Sequence, residues 1–241
     1  MIDIHFHCLP GIDDGPSSFD EAVELCRAAA AEGTETIVAT PHVMRDPWLN
    51  EDPAERDRLL VRLNALLGGK PAVVPGCELF FSSDVLELWD RGAAGPLVAL
   101  NRGSALLLEF PTHLVAPQAE WILHELSVMG VQPVIAHPER NAEFAHNPDR
   151  LASLVSRGAR TQITAGSLLG DFGRGPLAAA EDFFARGLVH LVASDAHSLA
   201  ERPPRLAAAR RWAERKWGEV MAREIFETNA EAVAQPRIAA T

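Results

Sequence analysis

MIDIHFHCLPGIDDGPSSFDEAVELCRAAAAEGTETIVATPH, residues 1–42, reads as a strand, a helix and a second strand. The run I-D-I-H-F-H (2–7) is short and apolar at alternate positions, as a largely buried strand requires. S-F-D-E-A-V-E-L-C-R-A-A-A-A-E-G (18–33) offers an N-cap serine, acids in the first turn and a terminal glycine, the marks of a helix. T-I-V-A-T-P-H (36–42) is again apolar and β-branched. A strand that reaches the next strand through a helix is the unit of a parallel sheet. Both strands end in histidine, and residues two apart on a strand share a face, so His5 and His7 project together from the carboxyl end of the first.

The alternation continues outward. Five more apolar runs follow at 72–80, 105–110, 133–138, 161–166 and 188–197, making seven candidate strands. Helical patterns separate them at 53–67, 117–129, 148–157 and 176–186, and continue at 203–217 and 218–227. Nearly continuous apolar strands with helices between them predict a parallel α/β sheet in one domain spanning 1–241, either open or closed into a barrel. R-G-A-A-G-P-L-V-A-L-N-R-G-S (91–104) reads as a loop with one short extra strand. G-R-G-P-L-A (173–178) matches a dinucleotide-binding pattern, but it follows a loop and carries Pro176, so it reads as a turn and helix entry.

Composition narrows the function. With 47% hydrophobic and 23% charged residues the chain can build a core. A net charge of −11 without a basic block argues against bulk nucleic-acid binding. No secretory signal or membrane-length apolar run is evident, and the 3 cysteines form no C-x-x-C pair, which together predict a cytoplasmic protein without membrane insertion. The sixth residues after those cysteines are Asp14, Glu32 and Ser83, so the C-x5-R loop of a cysteine phosphatase is absent.

Ligand-type residues recur at the carboxyl ends of the strands. His5 and His7 end the first, His42 the second, Glu78 the third, Glu109 the fourth, His137 the fifth, and Asp195 with His197 the seventh; the sixth has none. In parallel α/β folds that edge gathers residues distant in sequence into one site. With Asp14 from the first loop the set exceeds what one divalent ion can use, which predicts two or three ions and a hydroxide nucleophile for an anionic substrate. Arg140, three residues after His137, and Arg202, five after His197, add the forked donors that match phosphate oxygens.

Taken in order, H-F-H-C-L-P-G-I-D-D-G-P, A-T-P-H, G-C-E, L-E-F, I-A-H-P-E-R, Q-I-T-A-G-S-L-L-G and A-S-D-A-H-S-L-A-E-R-P-P resemble the polymerase-and-histidinol-phosphatase (PHP) superfamily. More narrowly, they resemble its metal-dependent bacterial protein-tyrosine phosphatases associated with capsule and exopolysaccharide genes. The resemblance covers residues 1 to 230. It implies a distorted TIM-like (β/α)7 barrel of PHP type. It also implies one ion held by His5, His7, Glu78 and Asp195, a second by Glu78, Glu109 and His137, and a third by Asp14, His42 and His197, with Glu78 as the bridge. The motif's alignment favours Asp14 over Asp13. Manganese is the ion implied, with iron, zinc or cobalt as alternatives for such mixed ligands. Arg140 and Arg202 fall at the phosphate-binding positions, while Val43 stands where many relatives carry a polar residue.

The expected activity is hydrolysis of phosphotyrosine on a protein, with a tyrosine kinase of polysaccharide export as the partner. The same metal ligands would serve a small-molecule phosphatase of the histidinol-phosphate kind, and a silent metal-binding scaffold is a third possibility. His113, His124, His146 and His190 read as structural, with His113 near enough to Glu109 to line a pocket. Trp212 and Trp217 read as packing residues on a helix with a solvated basic face.

Overall fold

A computed structural model describes residues 1–91 and 97–236. The helices and loops between the apolar runs carry the chain back to start the next run, and every strand pairing is parallel. The strands are β1 (Ile2–Phe6), β2 (Thr36–Ala39), β3 (His42–Val43), β4 (Ala72–Pro75), β5 (Glu78–Phe80), β6 (Ala105–Glu109), β7 (Gln132–Ala136), β8 (Arg160–Thr164) and β9 (Leu191–Ala193). They form a three-stranded sheet, β1-β2-β4, and a six-stranded sheet, β3-β5-β6-β7-β8-β9.

The second and third expected strands are each broken in two, because the chain bends at Thr40-Pro41 and at Gly76-Cys77. Pro41 cannot donate to a ladder. At Gly76 a Cβ would lie 2.8 Å from Val38 Cγ1, so only glycine permits the bent strands to cross this closely. The upper pieces β3 and β5 pair with each other and pass the ladder on to β6. At the opposite seam, β9 meets β1 through a bridge between Phe6 and Ala196, with Asp195 N–H donating to His5 O and His7 N–H to Ala196 O, both at 2.9 Å. The seven runs therefore circle one axis as a distorted barrel whose ladder is interrupted at these bends and at the seam.

The helices are α1 (Phe19–Ala31), α2 (Pro53–Leu67), α3 (Val85–Asp90), α4 (Ala119–Val128), α5 (Ala142–His146), α6 (Pro148–Ser156), α7 (Ala165–Leu169), α8 (Arg174–Ala185), α9 (Leu206–Trp217), α10 (Glu219–Arg223) and α11 (Asn229–Val233). Ser18 caps α1 by accepting from Glu21 N–H at 3.3 Å, as expected from its position. Residues 173–178 are a turn and the start of α8. The stretch 91–104 contains a helical turn at Leu100–Arg102 and no strand among its described residues; 92–96 lie outside the described residues. The helix expected at 218–227 is α10 continued by a π-helical turn, Glu224–Thr228. Trp217 stacks on Phe184 at 3.6 Å, which is packing, as expected.

An interior cluster joins Ile4, Val38, Leu107, Val134 and Leu191 from five strands, closed from below by Ala230 and Val233 of α11. A larger cluster lies between strands and helices. In β1 one extra residue stands between the pairs Asp3↔Ile37 and Phe6↔Ala39, a bulge. It breaks strict alternation, so Ile4 joins the apolar interior while both His5 and His7 reach the polar layer above it.

Candidate metal centre

The strand ends deliver five imidazoles and three carboxylates into one space, and the first loop adds a fourth carboxylate, Asp14. Four overlapping groups, His5/His7/Glu78, His5/His137/Asp195, His42/Glu78/Glu109 and His7/Asp14/His42/His197, each have their potential ligand atoms within 4.8 Å of one another. The expected nine residues are thus brought together, and all but Asp14 are buried.

Glu78 is central. Its Oε2 lies 3.2 Å from His5 Nε2, 3.3 Å from His7 Nε2 and 2.9 Å from His42 Nδ1, while Oε1 is 2.8 Å from His137 Nε2. Asp195 divides its oxygens. Oδ1 faces His5 at 3.3 Å and His7 at 3.6 Å, whereas Oδ2 accepts from Arg140 at 2.7 Å and forms an ion pair with Arg202. Asp14 Oδ1 lies 3.3 Å from His42 Nε2 and 3.2 Å from His197 Nε2. Two contributors, His137 (φ 31°) and Asp195 (φ 54°), occupy the left-handed region just past their strands, a strained placement that turns the chain into the site.

The backs of the rings are held as well. His5 Nδ1 faces Gln162 Oε1 at 2.9 Å and His7 Nδ1 faces Asp13 Oδ2 at 2.8 Å. Each acceptor fixes the proton on Nδ1 and leaves the Nε2 lone pair aimed at the centre. Asp13 also accepts from Gly15 N–H at 3.0 Å and His42 N–H at 3.2 Å. It stands behind His7, with Asp14 alone of the two in the cluster. Gly15 is required here, since a Cβ would come within 2.9 Å of His7 O.

Electrostatics divide the imidazoles. Burial opposes charge on His5 and His42, but Glu78, with Asp195 beside His5 and Asp14 beside His42, pushes them up to about 9 and about 10. Burial, with Arg140 beside His137 and His7 beside His197, pushes those two down to about 4. Burial and the neighbouring Glu78 push the Glu109 carboxyl up to about 7. Burial also opposes ionisation of Glu78, yet His5 and His42 hold it well below the ordinary range.

The donor set fits divalent ions on the geometry itself. Glu78 Oε2, Glu109 Oε2 and His42 Nδ1 are buried and lack a hydrogen-bond partner among the described residues, although Glu78 Oε2 and His42 Nδ1 are 2.9 Å apart. His5 Nε2 and His7 Nε2 face each other at 3.2 Å, an approach of two lone pairs once their protons are on Nδ1. Lone pairs that converge in a buried space without donors are what a cation satisfies.

Sequence reading missed several residues. Gln162 comes from the strand expected to contribute nothing. Arg45 Nε lies 2.8 Å from Glu109 Oε2, an ion pair without hydrogen-bond geometry, and Trp48 stacks on His42 at 5.4 Å. Buried Glu139 accepts from Thr164 N–H at 3.0 Å and Ser167 Oγ–H at 2.7 Å, tying the His137–Arg140 turn to β8 and α7. An acid beside a predicted arginine was the available signal. A cleft beside the centre is lined by Arg45, Phe110, Thr112, His137 and Arg140; Thr112, not His113, is the loop residue in it. Cys77 is buried and its sulfur accepts from Val98 N–H at 3.4 Å, a structural role.

The sequence model of the family described as "Capsular polysaccharide synthesis, CpsB/CapC" matches residues 1–235. Tyrosine-protein phosphatase YwqE of Bacillus subtilis is 41% identical over 206 residues, 84% of this chain and 79% of that protein. Tyrosine-protein phosphatase CpsB of Streptococcus pneumoniae is 33% identical over 238 residues, 95% of this chain and 96% of that protein. A crystal structure from work on these two, described there as unique metal-dependent tyrosine phosphatases, superposes with a TM-score of 0.92 at 37% identity, covering 99% of this chain and 96% of the other.

Proposed function

This chain belongs to the capsular polysaccharide synthesis CpsB/CapC family, and from that premise we propose that it is a metal-dependent phosphatase acting on phosphotyrosine in proteins. Its substrate would be a tyrosine kinase of capsular or exopolysaccharide export, met in the cytoplasm, and the whole chain 1–241 would act as one catalytic unit. Among the described residues no helix is long and apolar enough to cross a membrane. The observation that carries the reading is Asp195, whose Oδ1 faces the imidazole cluster while Oδ2 gathers both arginines.

Two to three ions, manganese first, would be held by His5, His7, Glu78 and Asp195, by Glu78, Glu109 and His137, and by Asp14, His42 and His197. When bound, such ions supply a hydroxide nucleophile at neutral pH and neutralise an anionic substrate. Gln162 and Asp13 hold the His5 and His7 rings with Nε2 forward. Arg140 and Arg202, both tied to Asp195, present their remaining N–H groups to phosphoryl oxygens, where charge spreads in the transition state. Arg140 is steadied by Phe172, whose ring centre lies 5.0 Å away. Phenolate, with a pKa of about 10, leaves readily, so the chain need not supply a strong general acid.

The test is manganese-dependent hydrolysis of a phosphotyrosine peptide beside histidinol phosphate and a phosphoserine peptide. Phosphotyrosine should be preferred, and Arg140→Ala should lower kcat/KM by about 10²-fold. Turnover of histidinol phosphate alone would move the function to small-molecule metabolism.

A further inference from the structure

A second cavity adjoins the metal centre and has a lining separate from the cleft of Arg140. Its walls are Pro16 from the first loop, Glu21, Glu24 and Leu25 of α1, and Leu199 after β9, and it reaches the centre at His197. The walls are mainly apolar, yet they carry two carboxylates and no lysine or arginine. Glu21 is anchored, its Oε2 accepting from Ser17 N–H at 2.7 Å and Ser17 Oγ–H at 2.9 Å. Those bonds hold its carboxyl below the ordinary range, so it stays charged. Glu24 is exposed and makes no hydrogen bond or ion pair among the described residues.

Apolar walls with unneutralised carboxylates suit a side chain that has an aliphatic stem and a cationic head. Charge is arranged accordingly across the mouth. Arg140 and Arg202 stand at the centre where a phosphate would lie, and the two glutamates stand in the adjoining cavity. His197 lines the cavity and also belongs to the imidazole cluster, so an occupant of one is a neighbour of an occupant of the other.

We propose that this cavity is a subsite for a lysine or arginine adjoining the phosphotyrosine in the substrate protein, with Glu24 as the residue that selects it; the proposal rests on the phosphatase reading above. Pro16, Leu25 and Leu199 take the methylene stem, and Glu24 and Glu21 take the cation at the rim. The subsite selects among phosphotyrosine segments by charge, while the phosphoryl chemistry belongs to the centre.

The experiment uses the full chain loaded with manganese at low salt and phosphotyrosine peptides that differ at one flanking position, Lys, Gln or Glu. For the wild-type protein kcat/KM should fall in the order Lys, Gln, Glu. Glu24→Gln should shrink the Lys-to-Glu ratio by roughly two- to fivefold, the range of a partly solvated ion pair, and Glu24→Lys should reverse its direction. A ratio compares peptides within one protein, so differences in active fraction cancel. Wild-type kcat/KM indifferent to the flanking charge, or a lysine preference undiminished in both variants, overturns the subsite and leaves the phosphatase reading standing. Failure of the wild-type protein to hydrolyse even p-nitrophenyl phosphate overturns both.

Discussion

The barrel interior is filled in two layers that are equally shut off from water and held by opposite means. Toward the amino ends of the strands stand Ile4, Val38, Leu107, Val134 and Leu191; toward the carboxyl ends stand His5, His7, Glu78 and Asp195, all of them at most 1% exposed. The lower layer gains from burial itself, by about 25 cal/mol for each Å² of apolar surface removed from water. The upper layer loses hydration on burial, and its side chains do not fully repay that loss to one another, as Glu78 Oε2, buried without a hydrogen bond among the described residues, records. One layer is complete as folded. The other has converging lone pairs that cations would satisfy, and the apolar layer beneath gives it a rigid floor.

The sharpest way to break the contrast is at Glu78. Glu78→Gln removes the charge shared by His5, His42 and His137, and hydrolysis should fall by on the order of 10³-fold or more, with metal content falling in parallel. Chelator should lower the unfolding midpoint of the wild-type protein and leave that of the variant nearly where it was, because ions that bind the native state stabilise it. Full metal content and turnover in Glu78→Gln would show that the upper layer does not depend on this carboxylate. Leu107→Ala tests the floor, and should cost about 2–5 kcal/mol in denaturant unfolding. The folded fraction should hydrolyse substrate at close to the wild-type rate. Loss of turnover without loss of stability would mean that the two layers are not separable.

The residues of the upper layer were legible because each ends an apolar run, where a strand's two-residue period and the chemistry of parallel sheets both point. What that period does not encode is which strands become neighbours across the barrel. Gln162 looked like an ordinary polar residue of the sixth run, and its role exists only because it reaches His5 from 157 positions away in sequence. Asp13 and Asp14 could be told apart only by the motif's alignment for a similar reason, their difference being set by where His7 and His197 stand. The bends at Pro41 and Gly76 split two expected strands, since the crossing with Val38 that demands them is tertiary. Arg45 and Trp48 lie in a turn where Met44 (φ 58°) and Asn50 (φ 46°) take left-handed conformations, which nothing in M-R-D-P-W-L-N announces.

Gln162 offers a finer test of how the upper layer is held. Gln162→Leu keeps the volume and removes the acceptor from His5 Nδ1, so metal affinity should fall by roughly 10- to 100-fold while stability without metal changes little. Measuring affinity by competition with a chelating dye separates this from a catalytic loss. Unchanged affinity would mean that His5 is oriented by its neighbours in the centre alone.

The smallest expected effect lies at the amino end of β9. His190 is a histidine outside the carboxylate cluster, and its Nδ1 accepts from Thr161 N–H at 3.3 Å, a bond that requires the nitrogen to be unprotonated. Burial and then the nearby Arg160 push its pKa below the ordinary 6.5, opposite in direction to His5 and His42. A depressed folded pKa means that the unfolded chain binds the proton more readily. Stability from this group is therefore fully present above about pH 6.5 and is lost as pH falls toward and through the folded value. His190→Asn keeps an acceptor near Nδ1 and removes the titration. Unfolding free energies of the two proteins, measured in urea at about pH 8 and about pH 5, should converge or cross as wild type loses stability that the variant keeps. The metal centre titrates alike in both and cancels in the difference, provided the sites are independent. A difference constant with pH would mean that His190 has the same pKa folded and unfolded, and that its contrast with His5 and His42 is one of position without one of protonation.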